Sequence, residues 1–186
     1  KVIALANAGN DTTNAIKQAA EFGVTRRGAR LAALLLQISD IHGIGLQAAQ
    51  GLTLTETFYW DLNERTRAFS QRVRGALGGR VATAPQAACY AATLHYLKVA
   101  AEVGAAEAKR SGGAMVARMK ATPADDDAFG QSRAREDGRV LHTAYLFEVK
   151  RPEESTGPWD YYRTLATIPA EQAFRPLSES GCPLVR

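Results

Sequence analysis

The chain has 186 residues, of which 46% are hydrophobic and 23% charged, the balance of a folded globular protein and not of a disordered or fibrous one. Its purely apolar run from Leu31 to Leu36 falls far short of the ~20 residues that cross a bilayer. The 23 basic and 19 acidic residues leave a net charge of +4 and are interspersed, so the basic balance is a weak argument for nucleic acid and no such partner is expected.

Val2 to Ala6 is apolar and partly β-branched, which predicts a short strand, and the turn formers from Asn7 to Asp11 end it. A helical pattern follows, with Asp11 or Thr12 as its N-cap and Gly23 where a C-terminal cap belongs. Lys1 to Ala8 superficially mimics a signal peptide, but its apolar part is shorter than the ~7 to 15 residues of an h-region. A chain that starts on a core strand is expected to be the later portion of a longer protein. After an exposed turn at Thr25 to Gly28, a strand is predicted from Leu31 to Ile38, then a loop over 39–45 carrying Ser39, Asp40 and His42. A short helix from Leu46 to Gln50 stops at Gly51, and a further strand runs from Leu52 to Tyr59. Strands that alternate with helices predict a parallel sheet with helices on its faces, so the strand ends at Asn7, Ser39 and Tyr59 fall on one edge.

From Asn63 the pattern turns helical. Asn63 caps a predicted helix over 64–77, Pro85 opens another that ends at Gly104, and a third runs from Gly113 to Lys120. Asp125 to Asp127 read as a solvated turn. Arg139 to Val149 and Trp159 to Ile168 form a predicted hairpin with a long polar connection, followed by an irregular tail over 169–186. The expected fold class is α/β, with a parallel sheet and flanking helices.

The chemistry is narrowed by elimination. His42, His95 and His142 are far apart and lack paired metal-ligand spacing, so no metal site and no cofactor are expected. Ser39, Asp40 and His42 lie within one loop, where neighbours cannot readily form a nucleophile, base and orienter. The Asn7 to Asp11 turn lacks the three spaced glycines of a dinucleotide loop. Cys89 reads as a small buried thiol; Cys182 could pair only in an oxidising compartment, with no partner named by the sequence. What survives is the shared strand edge. Asn7, Ser39, Asp40 and His42 supply hydrogen-bonding groups, and Tyr59 and Trp60 supply apolar walls, a mixture that suits a small polar molecule with an apolar body.

Four phrases in order carry a resemblance: VIALANAGNDTTNAIKQAAEFGV, AAQGLTLTETFYWDLNERTRAFSQRV, QAACYAATLHYLKVAAEVG, and EDGRVLHTAYLFEVK with WDYYRTLATIPAE. The chain resembles the C-terminal half of type I periplasmic solute-binding proteins of ABC uptake transporters, the branched-chain amino-acid-binding group. That resemblance implies a non-catalytic receptor in the periplasm with three partners: a small carboxylate-bearing solute (an amino acid, amide or aromatic acid), an ABC permease in the inner membrane, and an N-terminal half not contained in this chain. It also implies parallel-sheet lobes with flanking helices, in which residues 1–61 belong to the C-terminal lobe, 62–145 return to the N-terminal lobe, and 146–168 cross back, with Asp61 and Tyr145 at the hinge. The acidic residue that holds a ligand ammonium in amino-acid-binding relatives falls at Asp40. Their aromatic position falls at Ala8, which leaves room for a bulkier ligand such as an aromatic carboxylate. Two other classes fit the same strand-end crevice: a cytosolic α/β enzyme with Asp40 or His42 as acid or base, and the ligand-sensing domain of a regulator.

Overall fold

A computed structural model describes residues 1–183 and Val185; Leu184 and Arg186, the end of the expected tail, lie outside the described residues. In chain order the elements are β1 (Val2–Leu5), α1 (Asn10–Glu21), β2 (Arg30–Ala33), α2 (Ile38–Ile44), α3 (Leu46–Ala49) and β3 (Thr53–Glu56). Four helices follow: α4 (Glu64–Val73), α5 (Ala84–Val103), α6 (Ala105–Arg110) and α7 (Gly112–Ala121). Then come β4 (Ala124–Asp126), β5 (Gly130–Ala134), β6 (Val140–Leu141), β7 (Ala144–Val149), β8 (Tyr162–Ile168) and α8 (Ala170–Ala173). The class is α/β, and the chain forms two compact units, one of residues 1–57 and 144–168, the other of 58–143 and 169–186.

The first unit is built on a five-stranded sheet of order β1-β2-β3-β7-β8. β1, β2 and β3 are parallel, and β7 and β8 are an antiparallel hairpin laid against β3. Parallel neighbours need a crossover, which α1 and the α2–α3 pair supply. Leu31, Ala33, Leu54, Phe147 and Val149 are buried, which is why these segments read as apolar runs. Glu56 at the end of β3 pairs with Tyr145, and Ala144 pairs with Ile168. The three points where the chain leaves or re-enters this unit therefore lie side by side at one end of its sheet.

Three expectations for this unit are corrected. The strand predicted from Leu31 to Ile38 ends at Ala33; Leu34 and Leu35 are 67% and 55% exposed. The loop predicted over 39–45 is the helix α2, because the Asp40 carboxylate accepts the Gln37 N–H at 2.8 Å and completes its first turn. The cap of α1 is Gly9, with φ 58 and ψ −133, a conformation open to glycine; Asp11 sits inside the first turn and Thr12 is buried.

In the second unit, α4 is capped by Asn63, whose Oδ1 accepts the Thr66 N–H at 3.0 Å. α5 starts at the Thr83 cap with Pro85 in its first turn and ends at Gly104, as its sequence predicts. Phe58, Phe69, Ala82, Ala87 and Ala128 form one core cluster, and Val99, Ala108 and Met115 form another. The structure differs from expectation in four places. The chain restarts after Gly104 as α6. Asp125 and Asp126 belong to β4 of a three-stranded sheet, and buried Asp126 accepts the N–H groups of Ala128 and Phe129 through Oδ1. The long strand expected from Arg139 divides into β6 and β7, which fall in different units. Cys89 is exposed, not buried, because α5 turns Ala87, Ala91, His95 and Val99 inward; both cysteines are free.

Candidate functional site

The C-terminal ends of β1, β2 and β3 share one edge of the first sheet, since the three strands are parallel. Asn7 follows β1; its Oδ1 accepts the Thr12 hydroxyl at 3.1 Å, and Ala8 beside it is exposed. Beyond β2, the first turn of α2 carries exposed Ser39 and half-buried Asp40. At the end of β3 stands Glu56, a residue the sequence reading did not single out. It is 7% exposed and its Oε1 has no hydrogen-bond partner among the described residues; Gln37 Oε1 is likewise buried and unbonded. Burial, with the Asp40 charge adding to it, pushes the Glu56 carboxyl well above its ordinary value. The alternation Leu52, Leu54, Glu56, Phe58 placed an acid on a buried phase, and that was the available signal.

His42 faces a different set of groups. Its Nδ1 lies 2.7 Å from the Tyr161 hydroxyl, and its ring stacks on Trp159 with centroids 4.1 Å apart. Trp159 has φ 73, the one positive value among the described non-glycine residues. The next residue secures that geometry: Asp160 pairs with Lys150 and accepts both the N–H and the hydroxyl of Thr156 at 2.9 Å. Burial alone would raise the Asp160 carboxyl, but these hydrogen bonds outweigh it and hold the group below its usual range.

The predicted site residues are thus divided. Asn7, Ala8, Ser39, Asp40, His42 and Tyr145 lie in the first unit, and Tyr59, Trp60 and Asp61 in the second. Tyr59 is buried with its ring edge toward Trp60, and Asp61 pairs with Arg67 at 2.9 Å. Tyr145 stands opposite Glu56 across the β3–β7 pair, and burial raises its phenol. His95 bonds the Thr122 carbonyl at 3.1 Å, and His142 stacks on Phe129 at 4.1 Å with its pKa lowered by burial. Among the described residues no cluster of three or more His, Cys, Asp or Glu could hold a metal ion. The strand edge of the first unit gathers polar groups, Asn7, Ser39, Asp40 and Glu56, donors as well as acceptors, a set suited to a small polar molecule.

The sequence model of a family described as periplasmic binding protein matches residues 1–157. Among solved structures, a periplasmic binding protein from Burkholderia mallei is 41% identical with a TM-score of 0.88, covering 100% of this chain and 48% of its own. A branched-chain amino acid ABC transporter periplasmic ligand-binding protein from Burkholderia xenovorans LB400 is 34% identical, with a TM-score of 0.86 and the same coverage, 100% and 48%. A solute-binding protein of an ABC transporter from Rhodopseudomonas palustris HaA2, in complex with p-hydroxybenzoic acid, is 20% identical with a TM-score of 0.73, covering 91% of this chain and 45% of its own, which shows likeness of fold. The chain spans about half the length of these structures. No curated protein matches it.

Proposed function

The chain belongs to the periplasmic binding protein family, and from that premise we propose that it is the later half of the solute-binding component of an ABC uptake transporter, acting in the periplasm without catalysis. Its partners on this reading are a small carboxylate-bearing solute, an inner-membrane permease and the remaining half of the same polypeptide. The observation that carries the reading is the strand edge of the first unit, where Asn7, Ser39, Asp40 and Glu56 set polar groups beside exposed Ala8. Parallel sheets bind ligands at this edge. Asp40 takes the donor end of the solute, with Asn7, Ser39 and His42 as further polar contacts. The unfilled position at Ala8 favours a ligand with a bulky body, an aromatic acid or a large amino acid. Asp61 and Tyr145 stand near the chain crossings and serve as hinge positions, so that solute binding selects a closed form for the permease to read.

A thermal-shift screen of the full-length protein against amino acids, amides and aromatic acids tests this. A bound solute stabilises the fold by about 2.7 kcal/mol at a hundredfold excess over Kd, and Asp40→Asn weakens the effect for amine-bearing solutes. No shift with any of them, together with turnover of one, overturns the reading.

A further inference from the structure

At the C-terminal edge of the first sheet each parallel strand brings an acid. Asp11 stands in the first turn of α1 after β1, Asp40 in the first turn of α2 after β2, and Glu56 is the last residue of β3. Asp11 and Asp40 have a structural use, since a carboxylate in the first turn complements a helix N-terminus, and Asp40 also accepts the Gln37 N–H. Glu56 has no such use. A buried charge is normally paired or hydrogen-bonded. Asp160 pairs with Lys150 and accepts from Thr156, and Asp126 accepts the N–H groups of Ala128 and Phe129. Glu56 is as buried as these two, at 7% exposure, yet its Oε1 is enclosed without a partner among the described residues, and so is Oε1 of Gln37, the cap of α2. The cations of the unit stand elsewhere. Lys1 and Arg30 lie at the starts of β1 and β2, Arg26 and Arg27 in the turn before β2, and Lys17 in the middle of α1. Lys150, Arg151 and Arg163 lie at the β7–β8 turn, which is beside the start of β3, where the Val149 N–H donates to the Leu52 carbonyl at 2.8 Å. The edge thus holds acids and, among the described residues of the unit, neither Lys nor Arg.

We propose that Glu56 is a ligand residue of this edge, that it takes the ammonium of an amine-bearing solute, and that its proton leaves to solvent as the solute binds. The inference rests on the solute-binding reading above and narrows its solute to amines. The titratable groups that face Glu56 are Asp40 of α2, whose charge acts on it, and the Tyr145 phenol, opposite it on the same face of the β3–β7 pair; β2 ends on Ala33 and brings none. Burial and the Asp40 charge both disfavour the Glu56 anion, so the carboxyl keeps its proton until a cation takes its place. The exchange balances. The acid gives H⁺ to the buffer, the carboxylate left behind pairs with the R–NH₃⁺ of the solute, and no covalent bond of the solute changes. Asp40 and Gln37 Oε1 are acceptors for the other N–H groups of an ammonium. A carboxylate at the same place meets like charge instead.

Titration calorimetry on the natural full-length protein tests this, with the common amino acids as amine-bearing probes and 3-phenylpropanoate and p-hydroxybenzoate as probes without an amine. Each titration is run in two buffers of different ionisation enthalpy, which counts the protons released per solute bound and needs no variant. Between the ordinary value of 4.5 and the raised value of Glu56, an amino acid is expected to bind with release of a proton, and its affinity to climb by up to about tenfold per pH unit before it levels off. Glu56→Gln is expected to bind the same amino acid more weakly, without that release and without that slope. Amino-acid binding with no proton release, and with one pH profile for both proteins, overturns the proposal and leaves the solute-binding reading standing. Binding of 3-phenylpropanoate or p-hydroxybenzoate but of no amino acid does the same. If Glu56→Gln lowers the melting temperature of the unliganded protein and leaves solute affinity unchanged, Glu56 serves the packing of the full chain and the proposal is overturned. Binding of no probe at all removes the solute-binding reading and this inference with it.

Discussion

Glu56 gives the first unit a pH response whose sign follows from burial. An acid whose native carboxyl is raised binds its proton more tightly in the folded than in the unfolded chain. Its contribution to stability is complete below the ordinary value of 4.5 and is lost as pH rises through the raised native value. Glu56→Gln, which keeps the shape of the neutral acid, is therefore expected to flatten the fall of melting temperature as pH rises from the ordinary value to the raised native one; parallel profiles for the two proteins refute the assignment. Asp137 acts in the opposite direction. Arg135 donates to both of its oxygens, at 2.9 and 2.6 Å, and holds its carboxyl down to about 2, so its contribution is present above the ordinary value of 3.8 and lost as pH falls through about 2. Asp137→Asn is expected to lose that acid-limb dependence, read from melts in the acid range. At this scale the sequence reading singled out Asp40, which the structure places in the first turn of α2, and passed over Glu56. An acid in an apolar strand looks like a solvent-facing residue until its alternation with Leu52 and Leu54 is followed.

Elements were legible where their ends carry their own chemistry. α4 and α5 begin at capping residues with matching partners three positions on, Asn63 with Thr66 and Thr83 with Gln86. Asn63→Ala is expected to cost about 1 kcal/mol in urea unfolding. Phe58→Ala, which removes a 1% exposed ring packed edge-on to Phe69, is expected to cost about 3 to 5 kcal/mol. Equal costs for the two would show that the cluster around Phe58 is not the core it looks like. α2 was not legible, for physical reasons. The run from Leu31 to Leu36 is uniformly apolar, so nothing in it says that the strand stops at Ala33, and Gly43 weakens the helical signal of the next segment. Its start is fixed by hydrogen bonds within one turn, from the Gln37 N–H to the Asp40 carboxylate and from the Asp40 N–H to the Gln37 carbonyl. The same limit applies to Asp126, whose burial depends on turn hydrogen bonds that form only once β4 and β5 pair.

At the level of the molecule, the α/β class was legible because each β-α-β step is local, whereas the assignment of segments to two units is not a local property. Nothing in the composition around Thr57 or Thr143 marks a passage from one unit to the other, and the register that brings Glu56 opposite Tyr145 joins residues far apart in sequence. The same long-range construction leaves β1 at the edge of its sheet, with Val2 68% and Ile3 42% exposed, and Phe22 just past α1 72% exposed. An edge strand with apolar side chains and open backbone groups invites association unless something covers it. The 186-residue chain on its own is accordingly expected to bind the dye ANS and to self-associate in size-exclusion chromatography. Val2→Lys with Phe22→Lys is expected to reduce both, since charge on an edge opposes pairing. If these side chains pack against the remaining half, the same double substitution lowers the melting temperature of the full-length protein. Loss of ANS binding in the short chain with no change in the full-length melt would instead leave the β1 edge exposed in both.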